Sequence, residues 1–215
     1  MYQFARAERL LAYGIAGVAG FVDAAGFLAA DRYFVSFMSG NTTRFGVELA
    51  GGTRAALVAG SLLVGFVIGV ALGALVSERA ATRPKSSVLA LSCGLLVLAA
   101  AGKAMGSTPA FLAGSVLAMG AINNVFRKDG GVALGVTYMT GALVRIGEGL
   151  AGWLSGSGRG RRGTLPSMLL WASLASGGLL GALATGLASP WVPWGSAVLL
   201  LGLYASARRL ENRAP

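Results

Sequence analysis

The sequence predicts an all-α polytopic membrane protein with about six transmembrane helices in two inverted repeats of three, each repeat carrying a re-entrant half-helix. Three observations lead there. The first is composition: 55% of the 215 residues are hydrophobic and 12% charged, with a mean hydropathy of +0.69, well outside the range of a soluble domain. The second is an internal repeat. Residues 35–52 return in weakened form one hundred and one positions later, with Val35, Met38, Gly40, Arg44, Gly46, Leu49, Ala50 and Gly51 identical to their counterparts; missing a repeat misreads a fold. The third is where the basic residues fall. They cluster at Arg6/Arg9, Arg79/Arg83/Lys85, Arg127/Lys128, Arg159/Arg161/Arg162 and Arg208/Arg209/Arg213, between apolar runs.

Composition also excludes. Cys93 is the only cysteine and histidine is absent, so a disulfide framework, a Cys/His metal site and a histidine triad are out. No metal and no cofactor are expected. The net charge of +10 reads as membrane topology, because the cations sit beside apolar runs and not on one face of a soluble domain; no nucleic-acid partner is expected.

Along the chain, residues 1–9 are a basic, aromatic lead into an apolar run over 10–30 that only Asp23 interrupts. Further spans are expected at about 55–76, 87–102, 109–126, 165–188 and 191–207, each near the ~20 residues a helix needs to cross the bilayer, three of them short. Residues 1–86 open the first repeat, which the span at 87–102 completes, and 103–215 form the second, within a single membrane domain. If both repeated segments crossed fully, the cluster at 79–85 would face outside; if each enters and leaves on one side, all five basic clusters face the cytoplasm. Residues 31–52 are therefore read as re-entrant from outside and 130–153 as re-entrant from inside. Three spans per copy then turn the second copy upside down. A half-helix of about 18 Å reaches roughly halfway through the core, and its non-helical lead needs protein partners at that depth. Ser36, Ser39, Asn41, Thr42 and Thr43 are the expected partners, with Ser39 as N-cap. The Gly/Ser/Arg linker at 155–163 is flexible by composition, and Trp191 and Trp194 suit an interfacial hairpin.

Asp23 is the sharpest chemical signal, since a carboxylate inside a span costs at least ~2.5–3.5 kcal/mol and is normally paired or facing water. Arg44 or Arg145 could pair with it. Both arginines fall one turn into the half-helices, where a cation needs a nearby anion. Glu48 and Glu148 are the local candidates, and a bound anion on free N–H groups is the alternative. The expected substrate site lies between the two half-helix N-termini: Asp23, Ser39, Gly40, Asn41, Thr42, Thr43 and Arg44 from the first copy, Asn123, Asn124, Thr140, Gly141 and Arg145 from the second. Asp23, Glu48 and Glu148 are the candidate coupling or ion-pair groups, and the repeat offset makes Asn124 the counterpart of Asp23. Gly65, Gly69 and Gly73 line one helix face, repeated by Gly177 and Gly181, fit either for internal packing or for a homodimer.

The runs Gly20-Phe21-Val22-Asp23-Ala24-Ala25-Gly26-Phe27-Leu28, Phe37-Met38-Ser39-Gly40-Asn41-Thr42-Thr43-Arg44, Asn123-Asn124-Val125-Phe126-Arg127 and Thr137-Tyr138-Met139-Thr140-Gly141 resemble the YoaK-like family of bacterial inner-membrane proteins, a domain of unknown function. The resemblance covers essentially the whole chain. It implies a multi-pass protein of the bacterial inner membrane and supplies no substrate. Inverted repeats with broken helices are common in secondary transporters, so a transporter or channel-like permease for an anionic or polar metabolite is expected, both termini cytoplasmic. The alternative is a non-transporting module that binds a partner protein or lipid. No nucleophile and base stand together, so no enzyme is expected.

Overall fold

The computed structural model describes residues 4–80, 82–128, 131–132, 134–156, 161–188 and 190–213. Of the features named above, residues 1–3 of the lead, 130 and 133 of the second re-entrant segment, and 157–160 of the linker with Arg159 lie outside the described residues.

The described chain is helical apart from a two-residue antiparallel ladder. In order it runs α1 (Arg6–Ala29), α2 (Met38–Ala50), α3 (Ala55–Arg79), α4 (Pro84–Ala104), α5 (Thr108–Ile122), β1 (Arg127–Lys128), β2 (Gly131–Val132), α6 (Met139–Leu154), α7 (Arg161–Ala188) and α8 (Val192–Glu211). Local chemistry sets several ends. Glu8 accepts the Ala5 N–H at 3.0 Å and opens α1, Pro84 sits in the first turn of α4, where its missing N–H costs nothing, and the Ser107 hydroxyl accepts the Ala110 N–H to start α5. Gly106 stops α4 with φ +80, a conformation that favours glycine.

Among the described residues, four helices are long and apolar enough to cross a membrane: α1, α3, α4 and residues 163–188 of α7. The sequence led us to expect six. Of the two others, α5 has 15 residues, about 22 Å, and stops at Ile122, so the expected span to 126 is cut short. The helix α8 has the length, at 20 residues, but ends in Arg208 and Arg209.

Packing places α1 and α5 at the centre. The apolar stretch of α1 is 61% buried, against 22% in α3 and 17% in α7, so α3 and α7 turn most of their apolar surface outward. Helix α1 packs chiefly on α7 and also on α8; α5 packs on α4 and α3; α4 packs on α8. Each short helix packs on its successor, α2 on α3 and α6 on α7.

Glycines make the two closest crossings possible. On α3, a Cβ at Gly69 would stand 2.3 Å from the Leu117 carbonyl oxygen and one at Gly73 2.5 Å from that of Ala121. On α7, a Cβ at Gly177 would stand 1.9 Å from the Gly17 oxygen and one at Gly181 2.4 Å from that of Phe21. The numbers rise together on both partners, so α3 runs parallel to α5 and α7 parallel to α1. The Gly65, Gly69 and Gly73 face is thus spent on α5 and is not free for a homodimer.

Three ion pairs and caps tie one end of the bundle together. Lys85 Nζ lies 3.2 Å from Glu8, the Glu211 carboxylate accepts the Lys85 N–H at 2.7 Å and the Ser86 N–H at 3.2 Å, and Arg127 meets Glu78 at 2.9 Å. An anion suits the positive end of α4. These contacts gather the start of α1, the end of α3, the start of α4 and the ends of α5 and α8, and with them four of the five basic clusters. Glu211→Ala is expected to cost about 1 kcal/mol, the usual value of a helix N-terminal cap, read as a lower melting temperature in detergent.

Candidate functional site

Between α1 and α2 the backbone at 34–36 is non-helical, with Val35 and Ser36 buried, so its polar groups need partners that lipid cannot supply. Two side chains provide them. Asn41, fully buried, accepts the Phe34 N–H at 3.0 Å and donates to the Phe34 carbonyl at 2.6 Å. Asp23 Oδ1 accepts the N–H groups of Val35 at 2.7 Å and Ser36 at 2.8 Å. The expected hydroxyl partners act differently. Thr42 and Thr43 donate to the carbonyls of Met38 and Ser39 one turn back in α2. Ser39 is not the N-cap, because that position falls two residues earlier, at Phe37, with no side-chain cap.

Nor does Asp23 pair with Arg44. Arg44 donates to the Asp31 carbonyl, stacks its guanidinium 3.7 Å from the Tyr33 ring centroid and lies 3.7 Å from Glu48. Asp31 has a positive φ of 42°, and the turn it makes points its carbonyl at Arg44. Among the described residues Asp23 has no cationic partner. Because the Arg44–Glu48 pair is partly exposed, Glu48→Gln is expected to change stability by no more than ~1 kcal/mol, checked by thermal unfolding.

The rings of Phe37 and Phe34 cover Gly40, close enough that a Cβ there would fall 2.6 Å from Phe37 and 3.0 Å from Phe34. The two short helices make no direct contact with each other.

In the second half the Asp23 role falls to Asn123, not Asn124. Asn123 Oδ1 accepts from the Thr137 hydroxyl at 3.1 Å and the Thr137 N–H at 3.4 Å, while its Nδ2 donates to the Met119 carbonyl. Asn124 instead donates to the Val70 carbonyl of α3 at 2.9 Å. Asp23 stands thirteen positions before Ser36 and Asn123 fourteen before Thr137, so one extra residue between anchor and partner slips the helices by one relative to the offset read from the later segment. Gly20 and Gly120, both set against neighbouring backbone, carry the correct register in the sequence. On α6, Thr140, Gly141, Arg145 and Glu148 are exposed, and among the described residues no ion pair joins Arg145 to Glu148.

Two cavities flank these anchors. One of about 840 Å³ opens where the first halves of α3 and α5 diverge, lined by Tyr33, Ser61, Leu62, Thr108 and Val116. The other, about 410 Å³, is a groove between α1 and α7 with Asp23 in its wall beside Ala24, Phe27, Phe34, Leu174 and Gly178. Sequence reasoning missed Phe27, Phe34 and Gly178, since single aromatics and glycines in an apolar chain carry no signal by themselves.

Helices of this length and apolarity, with their largest apolar faces turned outward, define a multi-pass membrane protein. Residues 11–206 match the family described as Protein of unknown function (DUF1275), and the chain belongs to that family. It is also 35% identical over 206 residues to the UPF0700 transmembrane protein RA0705 of Rhizobium meliloti (strain 1021), covering 94% of this chain and 87% of that one. No solved structure matches it.

Proposed function

We propose that this protein is a small transporter or channel-like permease for a polar solute, built from two inverted units of three spans. One observation carries the reading. The crossing of α3 on α5 recurs as the crossing of α7 on α1 residue for residue: Gly69 on Leu117 and Gly73 on Ala121 become Gly177 on Gly17 and Gly181 on Phe21. Each unit thus lends its second long helix to the first helix of the other, as two inverted copies related by a pseudo-two-fold axis in the membrane plane would. The packing of α2 on α3 and of α6 on α7 fits the same exchange. Short helices that return to the end of the bundle they came from support the re-entrant reading, and inverted units with broken helices are the frame on which many transporters move solutes. The step from frame to transport is an analogy.

A polar solute is favoured over an anionic one, because Arg44 is already engaged and phenyl rings cover the start of α2. The gathering of basic clusters at one end supports cytoplasmic termini by the positive-inside rule, and the resemblance to the YoaK-like family supports the bacterial inner membrane as the bilayer. In a Cys93→Ser background, single cysteines at Gly52 and Gly106 are expected to react with a membrane-impermeant maleimide from outside, and ones at Lys85 and Asn212 only from inside; outside reaction at Lys85 would break the topology. Transport itself is tested in proteoliposomes by solute-induced charge movement across a panel of polar metabolites and amines. Saturable currents or isotope uptake absent from empty vesicles are expected. A panel-wide null in sealed, correctly inserted vesicles overturns the proposal.

A further inference from the structure

Asp23 performs a structural task that the other half performs without a charge. In the second half a neutral amide, Asn123, accepts from the corresponding Thr137 groups, so an acceptor oxygen without a charge anchors the segment there. The carboxylate has no cation beside it among the described residues, although an intramembrane charge is normally paired. Its surroundings differ from those of Asn123 in one further respect. Asn124 reaches across to the Val70 carbonyl and closes the contact between α5 and α3, whereas the corresponding residue in α1 is Ala24, whose methyl group cannot reach α7. The groove of about 410 Å³ opens at that place, against Gly178 and Leu174.

The groove's walls have a definite chemistry. Phe27 lies one turn beyond Asp23 on α1 and Phe34 follows in the extended segment, their ring centroids 4.9 Å apart. A carboxylate beside two phenyl rings in an otherwise apolar slot attracts a cation that has an apolar body: the ring faces add cation–π attraction and the carboxylate supplies the counter-charge. Lipid chains alone would cover the slot and leave the carboxylate without a counter-ion. The volume is in the range of small-molecule sites.

We propose that the groove between α1 and α7 binds a monovalent organic ammonium with an aromatic or alkyl body, its nitrogen at Asp23 and its body along Phe27, Phe34 and Leu174. This deepens the transporter reading and rests on it only for the ligand's passage across the membrane.

Binding is measured by calorimetry on the full-length protein in phosphatidylglycerol nanodiscs, with phenethylammonium and benzyltrimethylammonium as probes and neutral 2-phenylethanol as control. The cations are expected to bind at least ten-fold more tightly than the alcohol. Asp23→Asn, which preserves the acceptor oxygen, is expected to abolish that preference. Ala24→Asn, which installs the residue that closes the other half, is expected to weaken cations and alcohol together. Equal affinity of wild-type protein for cation and alcohol overturns the proposal, as does an Asp23→Asn variant that keeps the preference. Should Asp23→Asn not fold, unaltered cation binding by Ala24→Asn overturns it and a loss supports it. Added phosphatidylethanolamine is expected to leave probe affinity unchanged; competition would assign the groove to a lipid headgroup instead of a free amine. Cation binding without flux in proteoliposomes overturns transport and keeps the site. Flux of other solutes with no cation binding overturns the site and keeps transport.

Discussion

Gly177→Leu is expected to yield no folded protein, and Gly177→Ala to be destabilised by at least the ~1–3 kcal/mol typical of overpacking. The added Cβ would stand 1.9 Å from the carbonyl oxygen of Gly17, and the obstacle is backbone, which cannot turn aside as a side chain can. Relief requires α7 to move off α1, which also opens the contacts of Gly20 with Leu174 and of Gly181 with Phe21. The same loss is expected for Gly69→Leu at the crossing of α3 and α5. Gly94→Ala and Gly186→Ala are the controls, because a Cβ at either position meets nothing within 4 Å. They are expected to be neutral or to stabilise by up to about 1 kcal/mol through reduced backbone freedom. Size-exclusion chromatography after heating steps gives the comparison; a folded Gly177→Leu with wild-type melting would contradict the crossing.

At Asp23 the largest structural effect is expected from leucine and the smallest from asparagine. Asp23→Leu removes the acceptor for the Val35 and Ser36 N–H groups, and each buried donor left without a partner costs roughly 1–3 kcal/mol. The extended segment would have no other way to satisfy them in a lipid environment, so loss of the segment's packing, and with it of α2, is expected. Asp23→Asn keeps one oxygen in place, and Asn123 is the precedent within the same chain. The measurement is the melting temperature of the two variants beside wild type, with protease sensitivity at residues 30–37 as the local reading. Equal stability of the leucine and asparagine variants would mean that the hydrogen bonds to Asp23 contribute nothing.

Much of the architecture was legible in the residues. Apolar runs of membrane length, basic clusters at their ends and the echo of Met38-Ser39-Gly40 in Met139-Thr140-Gly141 are local properties, and local properties survive without knowledge of contacts. The positions of α2 and α6 followed from the echo within two residues at the first. The glycines were visible too, as a series with the right period. Which surface they meet was not, because a small-residue face serves a helix of the same chain as readily as one from another.

Partner choice was the least legible feature. Arg44 looked like the counter-charge for Asp23, yet the left-handed turn at Asp31 and the ring of Tyr33 intercept it. Ser39 looked like an N-cap, yet Asn41 and Asp23 hold the approach to α2 and the helix begins earlier. Asn124 looked like the twin of Asp23, yet one extra loop residue hands that role to Asn123. Each outcome turned on a displacement of a single residue or a few ångströms.

The sequence by itself determined that this chain lives in a membrane, that residues 35–52 are echoed at 136–153 and that a carboxylate stands where a charge is costly. These follow from transfer free energy and internal similarity, which are sums over residues. Only the tertiary structure decided that α3 lies on α5 as α7 lies on α1, that the two half-helices stay apart, and that Ala24 leaves open beside Asp23 what Asn124 closes in the other half. The reason is physical: hydrogen bonds and van der Waals contacts act over a few ångströms, so which groups meet depends on the register of packed helices, and no single segment carries that register.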